Sequence, residues 1–147
     1  MNARSVAAAA VIATVVAAAA ACGGGTSEDE SSASIGIHFS KFGPGDVTVP
    51  AGVPVTFRLR NDDPIEHEWI VGPPDVHEAH RTGTEPFHNV RPTEVTVPAF
   101  SSRETTITFD GPGTFEFICH LPGHEAYGMK GTLRVVDDPS ASIQATR

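Results

Sequence analysis

A thiol, two imidazoles and a thioether are spaced in this chain so that a fold must bring them together. Three of them lie in one short loop, Cys119-His120-Leu121-Pro122-Gly123-His124-Glu125-Ala126-Tyr127-Gly128-Met129, with the spacing C-x4-H-x4-M. The fourth, His67, lies far upstream in Ile65-Glu66-His67-Glu68-Trp69-Ile70. Such donors close on one point if they sit on the ends of two neighbouring strands, so the set already favours an extended architecture.

The pattern between them agrees. From Ile35 onward, short runs of β-branched and aromatic residues are split by Gly and Pro. Candidate strands are Ile35–Phe39, Asp46–Val49, Val53–Arg60, Glu66–Val71, Glu94–Val97, Arg103–Phe109, Thr114–Cys119 and Gly131–Val136. Several alternate with period two: Val53, Val55, Phe57 and Leu59 share one face, and Pro54, Thr56, Arg58 and Arg60 the other. No helical periodicity persists past two turns. Eight short strands punctuated by turn residues predict an all-β sandwich or barrel over residues 35–136. Residues 72–93 break the rhythm, and are read as one long irregular loop carrying His77, His80 and His88. Those three histidines raise the question of a second metal site. Residues 137–147 read as a polar, frayed tail.

The N-terminus reads differently. Val6 to Ala21 is an uninterrupted run of Ala, Val, Ile and one Thr, 16 residues long, preceded by Arg4. It is short for a membrane span and ends in small residues, so residues 1–21 are read as a secretory signal. Ala19-Ala20-Ala21-Cys22 resembles a bacterial lipobox with Ala19 where Leu is usual, which makes Cys22 the expected lipidated residue; plain secretion is the alternative. Residues 22–34 then form the linker, GGGTSEDESSAS after Cys22, with no large apolar side chain. Such a tether has an end-to-end distance of roughly 20 Å, and up to about 40 Å when stretched. Loss of residues 1–21 removes one basic residue, Arg4, leaving 9 basic against 18 acidic residues and a formal charge of −9. No basic stripe exists, so nucleic acid is not an expected partner.

Cys22 and Cys119 are the two cysteines. If Cys22 carries lipid, an exported domain holds one unpaired thiol, which would oxidise unless a metal holds it. A Cys22–Cys119 disulfide is the competing reading and would tie a linker to a loop. Strand parity separates the neighbouring histidines: Phe115, Phe117 and Cys119 share one face, while His120 points to the other. His124, returned by the turn at Leu121-Pro122-Gly123, is therefore the loop's imidazole ligand. Two imidazoles, a thiolate and a weak thioether satisfy both Cu(I) and Cu(II), so His67, Cys119, His124 and Met129 are the expected ligands of one copper ion. Met129 is the one methionine besides Met1. Trp69 is expected to pack in the core.

With these residues in hand, the stretch Ile35–Val136 resembles the cupredoxins, the plastocyanin/azurin family of small blue copper proteins. The resemblance rests on Asn61 through Trp69 and on Cys119-x4-His124-x4-Met129-Lys130-Gly131-Thr132, whose loop spacing is most similar to rusticyanin- and auracyanin-type members. It implies an eight-strand Greek-key sandwich, one copper at His67, Cys119, His124 and Met129, and one-electron transfer to a redox partner protein. Many members place Asn after the first ligand histidine; here that position is Glu68. The expected protein is a monomeric, non-enzymatic carrier, exported and lipid-anchored at the outer face of the cytoplasmic membrane or in the periplasm. A copper-delivery protein without redox turnover is the alternative. A multicopper enzyme would need paired H-x-H motifs, and none is present.

Overall fold

The computed structural model describes residues 31–85 and 90–146. The expected signal, Cys22, most of the tether and His88 lie outside these residues. Among the described residues the strands are β1 (Ser32–Ile37), β2 (Phe42–Gly43), β3 (Asp46–Pro50), β4 (Pro54–Asn61), β5 (His67–Gly72), β6 (Glu94–Val97), β7 (Ser102–Thr108), β8 (Gly113–Ile118), β9 (Lys130–Val136) and β10 (Gln144–Thr146). A helix, α1 (Pro74–Thr82), follows β5. The strands form two sheets, ordered β2-β1-β4-β7 and β10-β3-β9-β8-β5-β6. β1 with β4 and β3 with β9 pair in parallel, and the other pairs are antiparallel.

The period-two reading accounts for the core. Val55, Phe57 and Leu59 are wholly buried, while Arg58 and Arg60 on the same strand are exposed. Phe57 meets Trp69 of the facing sheet at a ring-centroid distance of 5.0 Å, and Trp69 lies 6.2 Å from Phe117. Each fully buried large side chain of this kind contributes on the order of 1.5–3 kcal/mol.

Each of the eight expected strands is present, Glu94–Val97 with the expected ends and the others with one or both ends shifted. β1 begins at Ser32, inside the expected linker, and stops at Ile37 rather than Phe39. Phe39 and Ser40 both have φ of 52°, a left-handed conformation that no strand continues. β2 and β10 were not expected, being only two and three residues long. β10 corrects the expectation of a frayed tail from residue 137: Gln144, Ala145 and Thr146 pair antiparallel with Thr48, Val47 and Asp46.

α1 corrects the expectation of an irregular loop over residues 72–93. Pro74 opens it, Asp75 sits in its first turn, and Gly83 ends it at φ 63°. These are helix start and stop signals. The apolar stripe that normally accompanies them is missing, because the buried residue of α1 is a histidine, His77.

One close approach sets the spacing under the site. Gly131 on β9 pairs with Phe117 on β8, and a Cβ at Gly131 would fall 2.2 Å from Phe117 Cζ and 2.4 Å from the Gly45 carbonyl. The ring therefore lies directly over the glycine. Gly131→Ala should destabilise the metal-free domain by about 1–3 kcal/mol, read as a lower urea midpoint with an unchanged slope.

Candidate metal centre

His67 is the first residue of β5, and Cys119 follows the last residue of β8, its antiparallel neighbour. Both are fully buried. The loop then folds back on itself in tight steps. The His124 amide donates to Leu121 O (3.0 Å), Tyr127 to Gly123 O (3.0 Å) and Gly128 to Glu125 O (2.8 Å). Gly123 and Gly128 stand at φ 87° and 83°, values open to glycine. Met129 closes the loop at both ends: its N–H donates to His124 O at 2.9 Å, and its carbonyl accepts the Cys119 N–H at 3.1 Å.

This backbone brings three donors together. His67 Nδ1 lies 3.2 Å from His124 Nδ1, and Cys119 Sγ lies 3.3 Å from His124 Nδ1. Among the described residues, His67, Cys119 and His124 form a triplet whose donor atoms all fall within 4.8 Å of one another. Met129, fully buried, is bonded through its backbone to both Cys119 and His124. His120 points elsewhere, as strand parity requires.

The tautomer of His67 is set by its other nitrogen. Nε2 stands 3.0 Å from Asp63 Oδ2, so the ring proton is on Nε2 and the lone pair of Nδ1 faces the other donors. Asp63 is 5 % exposed and also accepts the Phe39 and Ser40 N–H groups at 2.7 and 2.8 Å. Burial alone would raise its pKa; the two amides and His67 outweigh that and hold it below the ordinary 3.8. Asn61, buried beside it, accepts the Asp63 N–H at 2.9 Å and donates from Nδ2 to Ile65, Val97 and Pro98 carbonyls. Neither Asp63 nor Asn61 was singled out as a supporting residue from the sequence. The available signal was an acidic residue four positions before the ligand histidine.

Cys119 is a free, buried thiol. Burial raises its pKa, while hydrogen bonds from the Glu68 and Leu121 amides work the other way. The Glu68 N–H reaches Sγ at 3.4 Å. The sulfur is thus braced by backbone amides, and having Glu in place of Asn at position 68 does not remove the brace. A neutral imidazole nitrogen, a half-buried second one and an amide-braced sulfur, all converging, suit copper by donor type and spacing.

Two of the three histidines of residues 72–93 find a partner outside that stretch. His77 and His80 lie on α1 and meet His120; His88 lies outside the described residues. His77 Nδ1 is 3.0 Å from His120 Nε2, and the His80 and His120 rings stack at 5.2 Å. Burial first, then the neighbouring His77 and His80, push the His120 pKa down to about 4. Arg81 of α1 reaches Glu125 of the ligand loop at 2.6 Å, joining helix and loop.

Replacing the buried carboxylate should expose its contribution. Because the folded pKa of Asp63 is depressed, the stability it supplies is fully present above the unfolded value of 3.8 and is lost as pH falls through the folded value. Asp63→Asn should lower the stability of the metal-free protein by about 1–3 kcal/mol at neutral pH. The difference from the parent should shrink as urea titrations are taken below pH 4.

The description Cupredoxin-like domain matches residues 5–135. A copper-resistant cuproprotein, CopI, of Rubrivivax gelatinosus is 35% identical over 98 residues, covering 65% of this chain and 59% of its own length. Auracyanin-B of Chloroflexus aurantiacus is 31% identical over 111 residues, covering 64% of this chain and 46% of its own. The chain thus spans about three fifths and about half, respectively, of these relatives' lengths. Among solved structures, auracyanin A from Chloroflexus aurantiacus, described as a "blue" copper protein, superposes with a TM-score of 0.55 at 26% identity, covering 71% of this chain and 97% of that one. The two-sheet fold, the convergent His67, Cys119 and His124 donors and these likenesses place the chain in the cupredoxin-like family of copper proteins.

Proposed function

We propose that the protein is a one-electron carrier whose copper is held by His67 Nδ1, Cys119 Sγ, His124 Nδ1 and the thioether of Met129. The observation that carries this reading is the preset donor triplet: two donors buried and one half-buried, within 4.8 Å, and fixed by Asp63 on one side and by loop hydrogen bonds on the other. Copper, when bound, supplies Cu(I)/Cu(II) exchange. The chain's own part is to hold every donor on a strand end or a closed loop, so that little need move when charge changes. The buried Cys119 thiol gives up its proton on binding, so uptake should strengthen as pH rises.

A docking surface supports the carrier reading. Phe39, Ile65 and Phe100 are 80, 48 and 72 % exposed, and all three lie on loops hydrogen-bonded to Asn61 or Asp63: Phe39 N–H to the Asp63 carboxylate, Phe100 N–H to the Asp63 carbonyl, and Asn61 to the Ile65 carbonyl. Tyr127, in the ligand loop, is 77 % exposed. Pro122 of the same loop is exposed too, whereas Met129 is buried. Exposed apolar side chains on the loops that hold Asp63 and on the ligand loop suit a transient protein partner. The protein acts as a single chain outside the cytoplasmic membrane, tethered through lipid on Cys22, with no catalytic turnover of its own. Its acidic surplus favours a basic docking face on the partner.

The second reading is copper delivery without redox turnover, favoured by the likeness to a protein named copper-resistant. A visible titration of the metal-free domain with Cu(II) tests the centre. One equivalent should produce an intense Cys-to-copper band, absent in Cys119→Ser. Reversible voltammetry with rapid oxidation by a partner supports the carrier; loss of Cu(I) to a metal-free acceptor, without such exchange, supports delivery. No band at all would overturn both.

A further inference from the structure

We propose that His77 Nδ1 and His120 Nε2, with His80 beside them, form a second site for a late first-row transition-metal ion, copper or zinc, on the face of the β8 end opposite the Cys119 thiolate. The site does not depend on the carrier reading.

Proton accounting leads to it. His77 Nε2 lies 3.1 Å from Gly72 O and 3.2 Å from Glu116 O. Two carbonyls on one nitrogen require the proton there, so His77 Nδ1 carries a bare lone pair. That lone pair faces His120 Nε2 at 3.0 Å. The other nitrogen of His120 faces the Glu125 carboxylate, Nδ1 to Oε2, at 3.7 Å. A proton on Nδ1 suits the carboxylate and leaves two lone pairs facing each other, a repulsion that a cation between them removes. His80 Nδ1 lies 2.8 Å from the Val76 carbonyl, and its ring stacks on that of His120 at 5.2 Å.

The first centre provides an internal standard. His67 also has its distal N–H on an oxygen of the protein and its bare Nδ1 at 3.2 Å from a second imidazole nitrogen. Two imidazoles on a tetrahedral ion, each with a metal–nitrogen bond of about 2.0 Å, put their nitrogens about 3.3 Å apart. The His77–His120 pair at 3.0 Å is within a small adjustment of that. Ring protons held by backbone carbonyls are the usual support for ligating histidines. The three rings converge less tightly than the first centre's donors, since His77, His80 and His120 are not a triplet within 4.8 Å. His80, half-buried on α1, is the ligand that turns in. Neutral nitrogen donors select copper or zinc over calcium or magnesium. An ion bound there would stand one peptide unit from the thiolate, because Cys119 and His120 are adjacent.

The bland alternative is a closed hydrogen bond, His120 Nε2–H to His77 Nδ1, with no metal. Titration of the full, metal-free chain with Cu(II), followed by optical and electron paramagnetic resonance spectra, separates the two. The proposal expects a second equivalent whose signal is that of an ordinary nitrogen-bound Cu(II), adding nothing to the thiolate band. His120→Gln and His80→Gln should each weaken that equivalent at least tenfold while the first equivalent's band persists, which also reports folding. If the first band never forms, a Cys119→Ser/His124→Ala chain titrated with Zn(II) by calorimetry still decides: one equivalent, removed by adding His120→Gln, supports the site. Binding of a single equivalent in the parent chain, or a second equivalent unchanged by both substitutions, overturns it.

Discussion

The Asp63 carboxylate is the constraint on which the metal end of the molecule depends. It is a buried charge, and a buried charge persists only when its partners are good. Here the partners are two amides of the turn after β1 and the ring of a donor on β5. Phe39 and Ser40 occupy left-handed backbone, and the carboxylate accepts both of their N–H groups. One side chain therefore shapes a turn leaving one sheet and fixes a ring on the other. Asn61 locks Asp63 in turn, through carbonyls at Ile65, Val97 and Pro98. The position of His67 is decided by this cluster before any metal arrives.

The sulfur is governed by a balance of the opposite kind. Burial disfavours the thiolate, and two backbone amides oppose burial without fully cancelling it. The site is therefore prepared in shape and not in charge: the thiol keeps its proton until a cation replaces it. A preformed thiolate would be an easy target for oxidation.

The sequence carried the sandwich and the donor triplet because both rest on strong local signals. Alternation at Val55, Phe57 and Leu59 dictated which face is buried, and strand parity at Phe117 and Cys119 separated His124 from His120. What it hid was built from polar residues in apolar roles. α1 was missed because its inward face is His77, with no aliphatic stripe to give a 3.6-residue period. Asp63 was missed because an acidic residue in a turn ordinarily belongs to solvent, and only a tertiary contact reveals it as a support. The partnership of His120 with His77 was invisible for the same reason: α1 had first to exist and then to lie against β8. β10 was missed because a three-residue exposed edge strand has no pattern to read.

The spacing of the proposed ligands has a consequence for how the metal and the chain meet. Cys119, His124 and Met129 lie within eleven consecutive residues, whereas His67 lies in a different strand. An unfolded chain therefore already offers copper three of the four donors on a short, easily closed loop. Copper should bind the nascent or denatured polypeptide with appreciable affinity, so its stabilisation of the native state is only the excess that His67 and the ordered cage add. Loading the metal before the sheets assemble would leave the ion with its redox chemistry but without the cage, beside an exposed thiolate. The order of events, sheets first and metal second, thereby becomes part of what keeps the centre intact.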